Sequence, residues 1–203
     1  NHRDDIVYSP NIALVRMLQD ASSLHRNELF DRIVNSVLSR RLRPDCWKRL
    51  LEADRNISEF EIRQTVEKEP IDNKWILYAI APEMVKLTDE QREQFYDGRR
   101  WRGRQLTHQL WALVHLRQRK GSNAELDSLI EHICRRLTSR LAFALPVRDM
   151  YIQRTSFVLF AGHPEKIRRR WVERVIGQQN GDGSWDNRWY FCLLYTSDAA
   201  DEL

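Results

Sequence analysis

Apolar residues along the chain recur at helical spacing and are punctuated by proline, glycine and capping residues. Ser9, Pro10 and Asn11 precede Ile12, Leu14, Val15 and Leu18, which predicts a short helix stopping near Asp20. Ser22 or Ser23 is then expected to cap a stronger helix. Its Phe30, Ile33, Val34, Val37 and Leu38 form one apolar stripe, Arg40, Arg41 and Arg43 suit its C-terminal end, and Pro44 stops it. Pro44 and Asp45 open a helix carrying Trp47, Leu50 and Leu51, and Asn56 with Glu59 reads as a capping box. Ile57, Phe60, Ile62 and Val66 fit a period of two or of four, but Arg63, Gln64, Glu67 and Lys68 favour a helix over residues 56–70. Asp72 is expected to cap residues 74–81, and Thr88 with Gln91 makes a second capping box for a polar helix ending before Gly98.

The pattern is clearest after the run Arg99, Arg100, Trp101, Arg102, Gly103 and Arg104. A helix over 104–119 carries Leu106, Leu110, Leu113 and Val114, and Gly121 breaks it. Ser122 and Glu125 then cap a helix whose Leu126, Leu129, Ile130, Ile133, Cys134, Leu137 and Leu141 share one face. Pro146 ends that pair, a helix follows over 148–161, Gly162 breaks it and Pro164 opens the last. Superposed on their glycines, 41 residues apart, the two pairs match Leu126 with Ile167, Ile130 with Trp171 and Cys134 with Val175. Before the glycines, Leu116 matches Phe157, Trp111 matches Ile152 and Leu110 matches Tyr151. This period belongs to stacked helical hairpins, whose apolar faces need neighbours to cover them.

After the last helix, Gln179, Gly183 and Trp185 fit the pattern Q-x-x-x-G-x-W. In this the stretch 164–185 resembles the Gln-Trp repeats of the terpene cyclase and prenyltransferase α/α-toroid superfamily. The resemblance implies a barrel of inner and outer helices, in which Gln179, Gly183 and Trp185 form a structural turn tying one repeat to the next. It does not extend to chemistry. The sequence has no Asp-x-Asp-Asp acid motif, and no Asp, Cys and His set stands at the prenyltransferase zinc positions. A calcium loop through Asn180, Asp182, Ser184 and Asp186 lacks its acidic twelfth position. The fold expected is therefore all-α, built of antiparallel hairpin repeats as part of an α/α toroid, with an open α-solenoid as the alternative.

Composition narrows this picture little. With 42% hydrophobic and 31% charged residues, the chain has the make-up of an ordinary globular domain. Residues 192–202 read as the translation of a sequencing adapter, so the expected organisation is one all-helical domain over 1–191, truncated at both ends, with a non-native tail over 192–203. Without Asp198, Asp201 and Glu202 the rest is more basic than the formal charge of +4. Cys46 and Cys134 have no paired spacing, which favours a reducing, cytoplasmic setting over a disulfide framework or a zinc knot.

Candidate chemistry falls in two places. Trp101, His108, Trp111 and His115 follow one helical stripe that would line a cavity if the helix were an inner one. Imidazoles there could serve as general bases, although His108 and His115 are about 10 Å apart along the helix, too far to share one metal. Asp149, Tyr151, Gln153 and Arg154 begin the next pair and fall near the same end. This makes His108, His115 and Asp149 the catalytic candidates and Trp101, Trp111, Tyr151 and Arg154 the substrate-binding ones, with no metal expected and the sequence silent on any cofactor. Two functions follow: a toroid-type enzyme taking a lipid-like or other small substrate, or a non-catalytic scaffold that binds protein. The arginine-rich stretches 99–104 and 166–170 could track phosphates, but interspersed Glu131, Glu165 and Glu173 favour a solvated basic face over nucleic acid and leave peripheral membrane contact as an alternative.

Overall fold

The computed structural model describes residues 15–17, 19–20, 22–23, 28–39, 45–143, 147 and 149–180. Among them all regular structure is helical, as the pattern predicts, and no strand is present. The chain divides into two compact units, Asn1–Lys86 and Leu87–Leu203.

In the first unit, Ser22 and Ser23 are themselves helical, which corrects their expected role as caps. Helix α1 begins later, at Glu28–Ser39, and the Ser22 hydroxyl donates to Asp31 in its first turn at 2.6 Å. Arg40, Arg41, Arg43 and Pro44 lie outside the described residues. Asp45–Leu50 is a 3-10 helix that buries Cys46, Trp47 and Leu50. Helix α2, Glu59–Lys68, is capped by Ser58, which accepts from the Glu61 amide at 3.4 Å, so the cap is Ser58 and not Asn56. Helix α3, Ile71–Ile80, starts after Pro70, whose missing N–H costs nothing at a helix start. Asp72 sits inside the first turn, buried, so it does not cap the helix as expected. The helix buries Trp75, Ile76, Leu77, Ala79 and Ile80 nearly all round, and α2 and the 3-10 helix pack against it.

In the second unit, Thr88 and Gln91 form the expected capping box of α4, Asp89–Tyr96. The Gln91 amide donates to the Thr88 hydroxyl at 3.2 Å, and the Gln91 side chain accepts from the Thr88 amide at 3.1 Å. Thr88→Ala is expected to lower stability by about 1 kcal/mol, while Thr88→Ser stays near the parent, as read by urea denaturation. Helix α5, Gly103–Lys120, is more deeply placed than its four-residue stripe suggested: every residue from Gln109 to Leu116 is buried. Gly121 ends it at φ 84°, the left-handed region that favours glycine.

Helix α6, Ala124–Phe143, returns along α5. Its first turn is held by Asn123, whose side chain accepts from the Leu126 amide at 2.9 Å, in place of the expected Ser122. The Ser122 hydroxyl instead donates to Asp127. Helix α7, Asp149–Phe160, packs on both α5 and α6. Gly162 again has φ 84°, so both glycines placed by the 41-residue period take a positive φ. The second hairpin then departs from the first. Pro164–Lys166 forms only a 3-10 turn, and helix α8, Arg169–Gly177, is short. It rests Trp171 and Val175 on Tyr151, Leu141 and Val147.

Candidate functional site

The aromatic stripe of α5 closes against α7. Trp111 stacks on Phe157 with ring centroids 6.0 Å apart and planes 13° apart, and its edge meets His115 at 5.1 Å. Phe160 lies tilted against His115 with centroids 5.6 Å apart. These contacts follow from periodicity: Trp111 and His115 are one turn apart on α5, and Phe157 and Phe160 one turn apart on α7, so each pair presents one face. The result is an aromatic box that leaves the imidazole only 5% exposed. Such rings supply packing area together with quadrupole attraction.

The other candidates separate from this box. Trp101 precedes α5, which starts at Gly103, so it is not part of the helical stripe. Its indole N–H donates to the Gln94 carbonyl at 2.9 Å, and Arg100 lies over its ring at 5.3 Å. His108 is half-buried on α5. Tyr151 is a core residue, with Arg174 of α8 over its ring at 5.6 Å. Gln153 accepts from the Thr107 hydroxyl at 3.2 Å, a polar tie between α7 and α5 beside half-buried Arg154. Asp149 opens α7, and its side chain lies outside the described residues. Gln179 is exposed after α8, while Gly183 and Trp185 also lie outside the described residues. No group of three His, Cys, Asp or Glu side chains among the described residues could hold a metal ion.

Sequence reasoning missed a second constellation, around the loop from Asp97 to Arg102. Gln109, fully buried on α5, donates to the carbonyls of Phe95 at 2.7 Å and Asp97 at 3.2 Å. From α6, Arg136 donates to the carbonyls of Gly98 and, at 2.9 Å, Trp101. The Asp97 carboxylate accepts from the Arg99 amide at 2.8 Å. Gly98 fits closely under α6, where an added Cβ would stand 2.7 Å from Leu129 Cδ1. A loop anchored at so many backbone groups presents Arg99, Arg100 and Arg102 to solvent from a fixed base.

Both described cysteines are buried free thiols. Burial pushes Cys46 up to about 11 and Cys134 up to about 12, which makes neither a nucleophile at neutral pH. No helix among the described residues is long and apolar enough to cross a membrane. No family model, curated protein or solved structure matches this chain.

Proposed function

We propose that the chain is a helical-hairpin scaffold that binds protein, in preference to a toroid enzyme with a catalytic cavity. The observation that carries this reading is the burial of one catalytic candidate, His115, and of two substrate-binding candidates, Trp111 and Tyr151. Trp111 and His115 are closed in by Phe157 and Phe160, and Tyr151 sits in the α7–α8 core, so these side chains hold helices together and do not face a substrate. The shared positive φ at Gly121 and Gly162 supports reading the two hairpins as repeats of one unit. On α8 the apolar stripe of Trp171 and Val175 continues to half-buried Val172 and to Ile176, which is 64% exposed. That edge is the contact surface the scaffold reading assigns to a protein partner.

The test is affinity capture from the source organism with quantitative mass spectrometry, comparing the parent with Ile176→Glu and with the double variant His108→Ala, His115→Ala. The scaffold reading expects proteins retained by the parent and by the histidine variant, and released by Ile176→Glu at unchanged helical content. Turnover of a prenyl diphosphate by the purified chain, abolished in the histidine variant, would replace this reading with the enzyme.

A further inference from the structure

The loop anchored by Arg136 belongs to a larger surface. Arg136, Arg140 and Phe143 are spaced four and three residues apart on α6, which places them on one narrow stripe. Phe143, at the end of that stripe, is 86% exposed. Arg136 brings the loop onto the same stripe through its bonds to Gly98 and Trp101, so Arg99, Arg100 and Arg102 gather beside it. The N-terminus of α5, whose first turn has no acidic residue, adds its positive end to the group.

This cluster repels itself. The Arg136 guanidinium is held below the ordinary arginine value by burial first, and then by the fields of Arg140 and Arg102. Asp97, the nearby carboxylate, accepts from the Arg99 amide and opposes this field only in part. No ion pair involves Arg99, Arg100 or Arg102 among the described residues. The glutamates that dilute the basic stretches do so at the second one, where Glu165 pairs with Lys166 at 3.7 Å and Glu173 with Arg169 at 2.7 Å. Glu131 stands about 140° round the helix from Arg136 by helix geometry, and it pairs there with Lys166 at 3.3 Å and Arg135 at 3.9 Å. On the Arg136 side of α6 the arginines outnumber the one nearby carboxylate, Asp97, an arrangement that favours a polyanionic partner.

The aromatic residues identify which polyanion. A single-stranded nucleic acid needs a series of rings on which bases stack. Here Trp101 has its N–H engaged and Arg100 over its face, and Tyr96, 41% exposed where the loop begins, is held edge-on against buried Phe95 at 5.0 Å, so among the described residues Phe143 is the ring that projects furthest beside the cluster. A lone apolar side chain among arginines suits a lipid surface, where the ring enters the headgroup layer while guanidinium groups meet phosphates and carboxylates. We propose that the Arg99–Arg102 loop, with Arg136, Arg140 and Phe143 of α6, is a docking surface for an anionic lipid bilayer, with Phe143 as the inserting side chain.

Co-sedimentation of the intact chain with vesicles tests this. Binding is expected to phosphatidylcholine vesicles that contain phosphatidylserine and not to phosphatidylcholine alone, and it should weaken as salt is raised. Replacing Arg99 or Arg102 by alanine should weaken it roughly fivefold each. Phe143→Ala should weaken it roughly tenfold, and Phe143→Trp should restore it. All of these side chains are exposed, so circular dichroism should show unchanged helix. Equal binding to neutral vesicles, or indifference to Phe143→Ala, would overturn the proposal. So would a single-stranded DNA oligonucleotide that binds more tightly than the anionic vesicles at the same salt.

Discussion

Trp111→Ala is expected to destabilise the unit Leu87–Leu203 by about 3–5 kcal/mol, the cost of deleting a large ring from a packed core. The loss has two parts. The indole is nearly fully buried, so its transfer free energy is forfeited, and Phe157 and His115 both lose a ring partner worth about 0.5–1.5 kcal/mol beyond area. Trp111→Phe should fall between the two, because a smaller ring keeps the stack on Phe157 and leaves a gap beside it. Guanidinium denaturation with two wavelengths of circular dichroism would measure both. This experiment also bears on function, since a tryptophan lining an open substrate cavity can be removed with a stability change of only about 0.5 kcal/mol. A small effect of Trp111→Ala would return it to the list of substrate-binding residues.

Arg136→Ala has the next largest expected effect, about 2 kcal/mol, because it removes charge-assisted bonds to two backbone carbonyls. Arg136→Lys should recover only part, since an ammonium lacks the fork that reaches Gly98 and Trp101 together. Salt dependence gives the effect a signature. The parent carries repulsion among Arg136, Arg102 and Arg140 that the alanine variant relieves, so the variant's deficit should be smallest at low salt and grow as salt screens that repulsion. Hydrogen exchange should show faster amides over Gly98–Arg102 in the variant. A deficit that shrinks with salt would mean that Arg136 acts mainly through an acidic partner.

What could be read from the sequence was mostly local. The Thr88–Gln91 box and the breaks at Gly121 and Gly162 depend on residues a few positions apart, and they stand where the pattern put them. The pairing of Trp111 with His115 was legible for the same reason, one turn of helix. Their cover by Phe157 and Phe160 was half legible, since the repeat alignment matched Phe157 to Leu116, a core position on α5. Gln109 and Arg136 were not legible, because their partners are backbone carbonyls that carry no side-chain signal and lie 12–14 and 35–38 residues away. Burial of Gln109 is tolerable only because of those partners, which is why α5 reads as amphipathic and is in fact surrounded. Ser58 displaced Asn56 because both can cap and only the helix start, fixed by burial of Ile62, decides between them. Glu131 does pair with Lys166 of the second basic stretch, but it occupies another side of α6 from Arg136 and so leaves the first stretch undiluted, which the sequence alone could not show.

Cys46 and Cys134 give the two units a property unrelated to redox chemistry. Among the described residues each unit holds one buried thiol whose proton is retained well above neutral pH, and neither can be alkylated while its surroundings stay closed. With Cys192 replaced by serine, modification of Cys46 times the openings of Asn1–Lys86, and modification of Cys134 times those of Leu87–Leu203. The chain thus carries a separate clock in each half, and whether the halves breathe together can be read by comparing their rates.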